Sequence, residues 1–366
     1  MDPLTHAVLG ASAARVALAR PLSHAAWLPG AAGALLPDMD ALIRSHADPL
    51  LYAEFHRHFT HALAFIPIGG AAAALPFLLH PAGRERWLPV LGAATVGYAT
   101  HGLLDASTTY GTVLLWPFSD ARVAWNMISI VDPVFTFALL CGVALGVWRR
   151  SARPAAAALL ICAAYLATGA VQRDRALDAQ RAIAAARGTG YDRGEVFPGF
   201  ANLLVWRSLY QAGDTLHMDR IRVPIGIGSD GTTWSPGTTM PLMREEALAP
   251  ADRADARVRR DFRRFQWFTS GWMAPSAREP SLIGDARYST AADRFDPVWG
   301  IRFVPDRRLG PSGPAIDDAA PASARRTEWV DRSRERTLSL REMWREWLGR
   351  DPGYRKIGNR PAAYSP

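Results

Sequence analysis

Four apolar runs dominate the first 172 residues, at positions 62–79, 87–104, 130–148 and 154–171. Each has about the length that a helix needs to cross the hydrocarbon core of a bilayer. Arg84 and Arg86 separate the first pair, and Arg149, Arg150 and Arg153 separate the second. Pro67, Gly69, Gly70 and Pro76 in the first run are better tolerated in membrane helices than in soluble ones. Gly92 and Gly97 in the second run permit close helix packing. Two shorter runs, 4–19 and 27–36, precede these and read as short or partly embedded helices. The expected class is a mainly α polytopic membrane domain, with about four full spans plus two short N-terminal helices, followed by a smaller β-rich soluble domain.

Orientation follows from arginine. If four spans alternate, the two arginine clusters fall on one side, which the positive-inside rule makes cytoplasmic. A hairpin of the two short segments adds Arg15 and Arg20 to that side. His6, Asp38, His61, Asp105 and the 107–129 loop then share the opposite face. The start of the chain, Met1-Asp2-Pro3-Leu4, lacks a basic n-region, so no cleavable signal peptide is expected.

Composition changes near residue 172. The later residues carry most of the Arg, Asp and Glu. The organisation expected is a membrane-embedded domain over 1–172, an extracytoplasmic β-rich domain over 173–310, and a Pro/Ala-rich linker with a charged helix over 311–366. Within these, 173–187 reads as helix, while 202–207, 220–223, 265–268 and 298–303 read as strands. Residues 311–324 read as a loose tail and 328–348 as an amphipathic helix. The net charge of +8 is arginine charge, since Lys356 is the sole lysine. The arginines are scattered among carboxylates and form no basic stripe, which argues against nucleic-acid binding. Cys141 and Cys162 lie in apolar runs and supply neither a disulfide framework nor a zinc knuckle.

Candidate chemistry sits at the ends of the apolar runs. His101 and Asp105 are four apart and share a helical face, where an imidazole and a carboxylate can bind one cation. A hydrogen-bonded structural pair is the duller reading, but ionisable groups in membrane segments are costly and usually functional. Asp38 and Asp40 can share a cation, or one can ligate while the other orients a histidine; simple capping is the alternative. The segment His56-Arg57-His58-Phe59-Thr60-His61 offers His56 and His61 as ligands ahead of His58, with Arg57 placed to neutralise an anionic substrate. His6 stands at the outer end of the first segment, whereas His24, His46, His80 and His217 read as surface or structural residues. The set His6, Asp38, Asp40, His56, His61, His101 and Asp105 mixes N and O donors without thiolate. That suits zinc, with manganese the alternative, as one ion or several. No His-Glu-x-x-His, Gly-x-Ser-x-Gly or phosphate-cradling glycine loop is present.

Several of these pieces together resemble one family. Thr5-His6 with Gly10, Leu36-Pro37-Asp38-Met39-Asp40, His56-Arg57 with Thr60-His61, His101-x-x-x-Asp105 with Thr108 and Gly111, and Pro117-Phe118-Ser119 with Arg122 resemble the YdjM-like, LexA-regulated, inner-membrane-associated metal-dependent hydrolases. The likeness covers about residues 1–170. The Trp206-Arg207 and Trp299-Gly300 regions are similar, more weakly, to the C-terminal part of longer members. Ala62 stands where serine is usual, and His58 where a small residue is usual; neither change removes a candidate ligand. The family is similar in motif to the zinc-dependent phospholipase C and single-strand nuclease superfamily. The resemblance implies helices around a zinc cluster in the bacterial inner membrane, with site and C-terminal domain facing the periplasm or exterior. It implies phosphoester hydrolysis. Because the site sits at the membrane surface, the expected substrate is a phospholipid or lipid-linked phosphoester, attacked by metal-activated water, with Asp38 or Asp40 as general base and Arg57 and Arg122 holding the phosphate. A non-catalytic membrane scaffold or transport-related protein is the alternative reading, and nucleic-acid hydrolysis a third.

Overall fold

A computed structural model of the protein describes residues 1–18, 22, 25–226, 231–289, 295–306, 325–335, 340–350 and 353–357. The first 187 residues are helical, and two antiparallel sheets follow. The expected short helices are α1 (Pro3–Ala17) and α2 (Trp27–Leu35). After a 3₁₀ turn at Leu36–Leu42 come α3 (Leu51–Phe55), α4 (Ile66–Leu78), α5 (Trp87–Ala106), α6 (Pro133–Trp148) and α7 (Arg153–Arg187).

By length and apolarity the described helices single out fewer than the four full spans expected. Among the described residues one helix, α7, is both long and apolar enough to cross a membrane. A second crossing exists if Leu51–His61 and Leu63–Leu78, bent by 60°, form one span. The causes are local. A 3₁₀ turn at Leu63–Phe65 shortens α4. Asp132 caps α6 through the Phe135 amide, so that helix begins only at Pro133. In α5, Thr95, Thr100, His101 and Asp105 dilute an otherwise apolar 20-residue helix. The 173–187 helix is no separate element, because nothing in the run from Ala155 to Arg187 terminates a helix until Gly188, which caps it at φ 69°.

The first sheet has strand order β1-β2-β3-β4-β9, from β1 (Arg193–Pro198), β2 (Val205–Ala212), β3 (Thr215–Arg222), β4 (Thr233–Pro241) and β9 (Arg355–Lys356). The lower half of α7 packs on it, burying Ala176, Leu177, Ala179 and Ile183 against Val196, Trp206 and Ile221. Arg187 then forks onto Asp219 of β3, with both N–O distances 2.7 Å. The second sheet runs β5 (Met273–Pro275), β6 (Ile283–Asp285), β7 (Trp299–Pro305) and β8 (Arg325–Asp331).

Two expectations in this half are corrected. Residues 265–268, read as a strand, end helix α8 (Ala256–Phe268). Asp255 caps that helix, and Val258, Phe262, Phe265 and Phe268 fall on one buried helical face. The helix read over 328–348 begins only at Leu340, as α9 (Leu340–Trp347). Before it, Glu328 to Asp331 belong to β8, where Glu328 lies opposite Arg302 and bonds its Nε at 2.9 Å. The tail at 311–324 lies outside the described residues.

The two halves share a core. Leu50 and Ala53 of the N-terminal region pack with Phe262, Phe265, Phe268, Met273 and Ile301. Beside them Arg264 of α8 bonds both Asp48 and Glu54. Phe265 is fully buried in this cluster. Phe265→Ala is expected to cost about 3–5 kcal/mol, read as a lower thermal-unfolding midpoint of the detergent-purified protein; an unchanged midpoint would contradict the shared core.

Candidate metal centre

Close packing of α2 on α5 sets the position of the centre. A Cβ on Gly97 would collide with the Gly30 carbonyl, and one on Gly33 with that of Ala94. With glycine at these places the helices approach until the Ala34 carbonyl lies 2.5 Å from His101 Nδ1. One turn along α5, Asp105 Oδ2 comes 3.4 Å from His101 Nε2. The Leu36–Leu42 turn brings Asp38 and Asp40, and a second 3₁₀ turn, Phe59–His61, brings Thr60 and His61.

Asp38, His61, His101 and Asp105 converge, with one ligand atom from each lying within 4.8 Å of the others. His61 Nε2 and His101 Nε2 are 2.9 Å apart. Asp105 Oδ2 lies 3.3 Å from His61 Nε2, and Asp38 Oδ1 lies 3.7 and 3.5 Å from the two imidazoles. Three of the side chains are fully buried, while that of Asp38 is 26% exposed and forms the solvent side.

The tautomers determine what fits there. His101 Nδ1–H donates to the Ala34 carbonyl, and His61 Nδ1–H points to Asp40 Oδ2 at 3.1 Å. When the rings are neutral, both Nε2 atoms turn lone pairs toward the same point. Asp105 Oδ2 faces that point too, fully buried. Lone pairs packed this closely repel unless a proton or a metal ion lies among them. Two imidazoles held by a carbonyl and a carboxylate, with two further carboxylate oxygens, form a donor set suited to a divalent cation.

Asp40 supports this arrangement from behind. Its Oδ1 meets His56 Nδ1 at 2.8 Å, and its Oδ2 accepts from Thr60 Oγ1 at 2.7 Å and from the Arg57 amide at 3.0 Å. Burial opposes ionisation of Asp40, but hydrogen bonds with His56 and His61 outweigh it and hold the carboxyl well below the usual range. The same balance, with His101 and His61 as partners, holds Asp38 low. Arg57 is buried in a left-handed backbone conformation, φ 65°, fixed by Asp40 at its amide and by Val113 at its carbonyl. Its Nε lies 3.0 Å from Asp105 Oδ2, and its Nη1 donates to Thr108 Oγ1.

The family model described as YdjM inner membrane protein matches residues 1–176. That part of the chain, just under half of it, is similar to the YdjM inner membrane protein family. The uncharacterized protein YfhP of Bacillus subtilis (strain 168) is 27% identical over 164 residues, 42% of this chain and 48% of that protein. The chain thus spans about half the length of the curated relative it matches. No solved structure matches.

Within the YdjM region, Asp38, His61, His101 and Asp105 meet directly. His6 joins through Asp105 Oδ1 at 3.1 Å and stacks on the His101 ring, with centroids 3.6 Å apart. Asp40 and His56 stand behind His61. Arg57 reaches the cluster, whereas Arg122 sits one ring away: both guanidiniums lie over Tyr110, with Cζ 4.8 and 5.3 Å from its centroid. Burial, with Arg287 and Arg57 nearby, pushes the Arg122 guanidinium down to about 10.

Several participants come from beyond the YdjM region. Trp267 and Phe268 flank Arg122, Arg287 donates to the Tyr110 carbonyl, and the Tyr288 hydroxyl pairs with Thr109 Oγ1 at 2.7 Å. More than 140 positions separate these residues from the loop they touch, and no local pattern in the sequence marks them.

Asp40→Asn removes the charge that orients His61, so divalent-metal affinity is expected to fall about 10–100-fold, measured by titrating the stripped protein with zinc. Because the folded carboxyl is depressed, its stabilisation is complete above the ordinary value near 4 and disappears as pH falls through the lower folded value. The parent should therefore lose more stability than the variant on acidification below about pH 4.

Proposed function

We propose that the protein is a membrane-bound, metal-dependent hydrolase of a phospholipid or lipid-linked phosphoester. The convergence of two imidazole Nε2 atoms and two carboxylate oxygens, from Asp38 and Asp105, on one largely buried point carries this reading. Asp38, His61, His101 and Asp105 would hold the ion, zinc ahead of manganese, with His6 beside them. A divalent cation bound there lowers the pKa of water and neutralises phosphoryl oxygens.

The chain's own residues supply the rest. Asp38 is the cluster member open to solvent, which places its carboxylate to accept a proton from the attacking water. The water oxygen forms a bond to phosphorus as the ester P–O bond breaks, and the proton passes to Asp38. Asp40, enclosed by four hydrogen-bonding neighbours, orients His61 instead. Arg57 projects its guanidinium beside Asp105, where it faces phosphoryl oxygens.

Several observations support a lipid substrate. The site lies in the region similar to the YdjM inner membrane protein family, beside apolar helices whose Phe137, Leu160 and Ile161 are exposed. In this reading the bilayer is the protein's partner and nucleic acid is not. The site and both sheets face the periplasm or cell exterior, with the arginine-rich turns inside.

Elemental analysis of the purified parent should find stoichiometric zinc or manganese, absent from well-folded His101→Ala and Asp105→Ala variants. Hydrolysis of phospholipid or lipid phosphate should fall to background in both. A parent that holds no metal even after reconstitution would favour the scaffold reading.

A further inference from the structure

Arg122 and His58 are polar groups that stand outside the four side chains converging at the metal centre. Arg122 Nη2 donates to the Gly111 carbonyl at 2.7 Å, but its Nε and Nη1 are buried without partners. His58 Nδ1 is buried and unpartnered as well. The two border the same indole: the Trp267 ring lies 5.2 Å from Arg122 Cζ and 6.3 Å from the His58 ring. The Trp116 ring lies 6.2 Å from that of His58. Tyr110 joins this pocket to the metal centre, with Arg57 over its ring near Asp105 and Arg122 over the same ring near Trp267. Carboxylates of Asp120, Glu54 and Asp40 also lie near His58, opposing the charge of Arg122. Glu54 is committed to Arg264, and Asp120 is an exposed residue whose backbone carbonyl accepts from Trp267 Nε1.

Unpartnered buried guanidinium nitrogens are costly in a folded protein and mark a missing acceptor. The acceptor must be anionic and rich in oxygen to satisfy a guanidinium fork and an imidazole together. We propose that Arg122 and His58, walled by Trp267, form a second anion subsite, so that the substrate is a diphosphate ester rather than a monophosphate. One phosphoryl group lies at Arg57 and the metal centre, the other at Arg122 and His58, with Tyr110 between the two cations. The proposal rests on the hydrolase reading for the first group only; the second subsite is a property of these side chains. Trp267 lies outside the YdjM-matching residues, which gives the sheet-bearing half a role in substrate choice.

The test compares inorganic pyrophosphate with inorganic phosphate on the full-length, detergent-purified protein, by calorimetry and tryptophan fluorescence. Metal content is measured on the same samples. The parent should bind pyrophosphate at least about tenfold more tightly than phosphate. Arg122→Gln should abolish that preference while phosphate affinity and metal content stay unchanged, and His58→Gln should weaken the preference in the same direction. Arg57→Gln should weaken both ligands. A short alkyl diphosphate separates the sources: tighter binding than pyrophosphate supports a lipid-linked diphosphate, and equal binding a soluble one. Equal affinity for phosphate and pyrophosphate in the parent, or an equal loss of both in Arg122→Gln, would overturn the subsite. A preference retained in protein that holds no metal would support the subsite while removing the hydrolase reading.

Discussion

A fully buried carboxylate, Asp105, is the constraint around which the N-terminal region is arranged. An isolated carboxylate away from water costs many kcal/mol, so it persists only where cations and donors surround it. His6 and the Met1 amino group meet one of its oxygens. Arg57, His61 and His101 meet the other. These partners come from three separate stretches of chain. Each stretch has a local device to keep its place: a glycine contact for the helix packing, a left-handed turn at Arg57, and Asp40 behind His61. Removing the charge would leave that convergence without its common purpose.

The second half of the chain braces the same assembly. Arg264 holds Asp48 and Glu54 just before His56, and Arg287, paired with Asp285, bonds the Tyr110 carbonyl. The second half thus fixes both segments that carry the site's arginines. A loop held from two sides has little freedom, which suits a site whose donors must stay within tenths of an ångström.

Much of the centre was legible in the sequence, because its parts obey local rules. The i, i+4 spacing of His101 and Asp105 implies a shared helical face. Pro37-Asp38-Met39-Asp40 after an apolar run implies a turn bearing two carboxylates. Their distinct positions were not legible. Whether Asp38 or Asp40 meets the cluster depends on how the Leu36–Leu42 turn winds, which two residues cannot specify. Span lengths were overestimated because hydropathy does not register the 3₁₀ turn at Leu63–Phe65 or the Asp132 cap. The aromatic run ending at Phe268 looks like a strand until Val258 and Phe262 reveal its 3.6-residue period. Long-range partners such as Trp267 and Arg287 leave no signature in the sequence near the loop they touch.

Helix α7 has a consequence of its own. Its 35 residues run unbroken from an apolar stretch to the face that carries the first sheet, a rod about 50 Å long. In such a rod, angular phase is set by residue count. One inserted residue in its middle would turn everything below it by about 100° and advance it by about 1.5 Å. Ile183 and Arg187 would swing away from Trp206 and Asp219, and the sheets could no longer meet the segments they brace. The number of residues in α7 is therefore an alignment setting between the two halves of the molecule. Length variation there is expected to be far less tolerated than in the loops on either side.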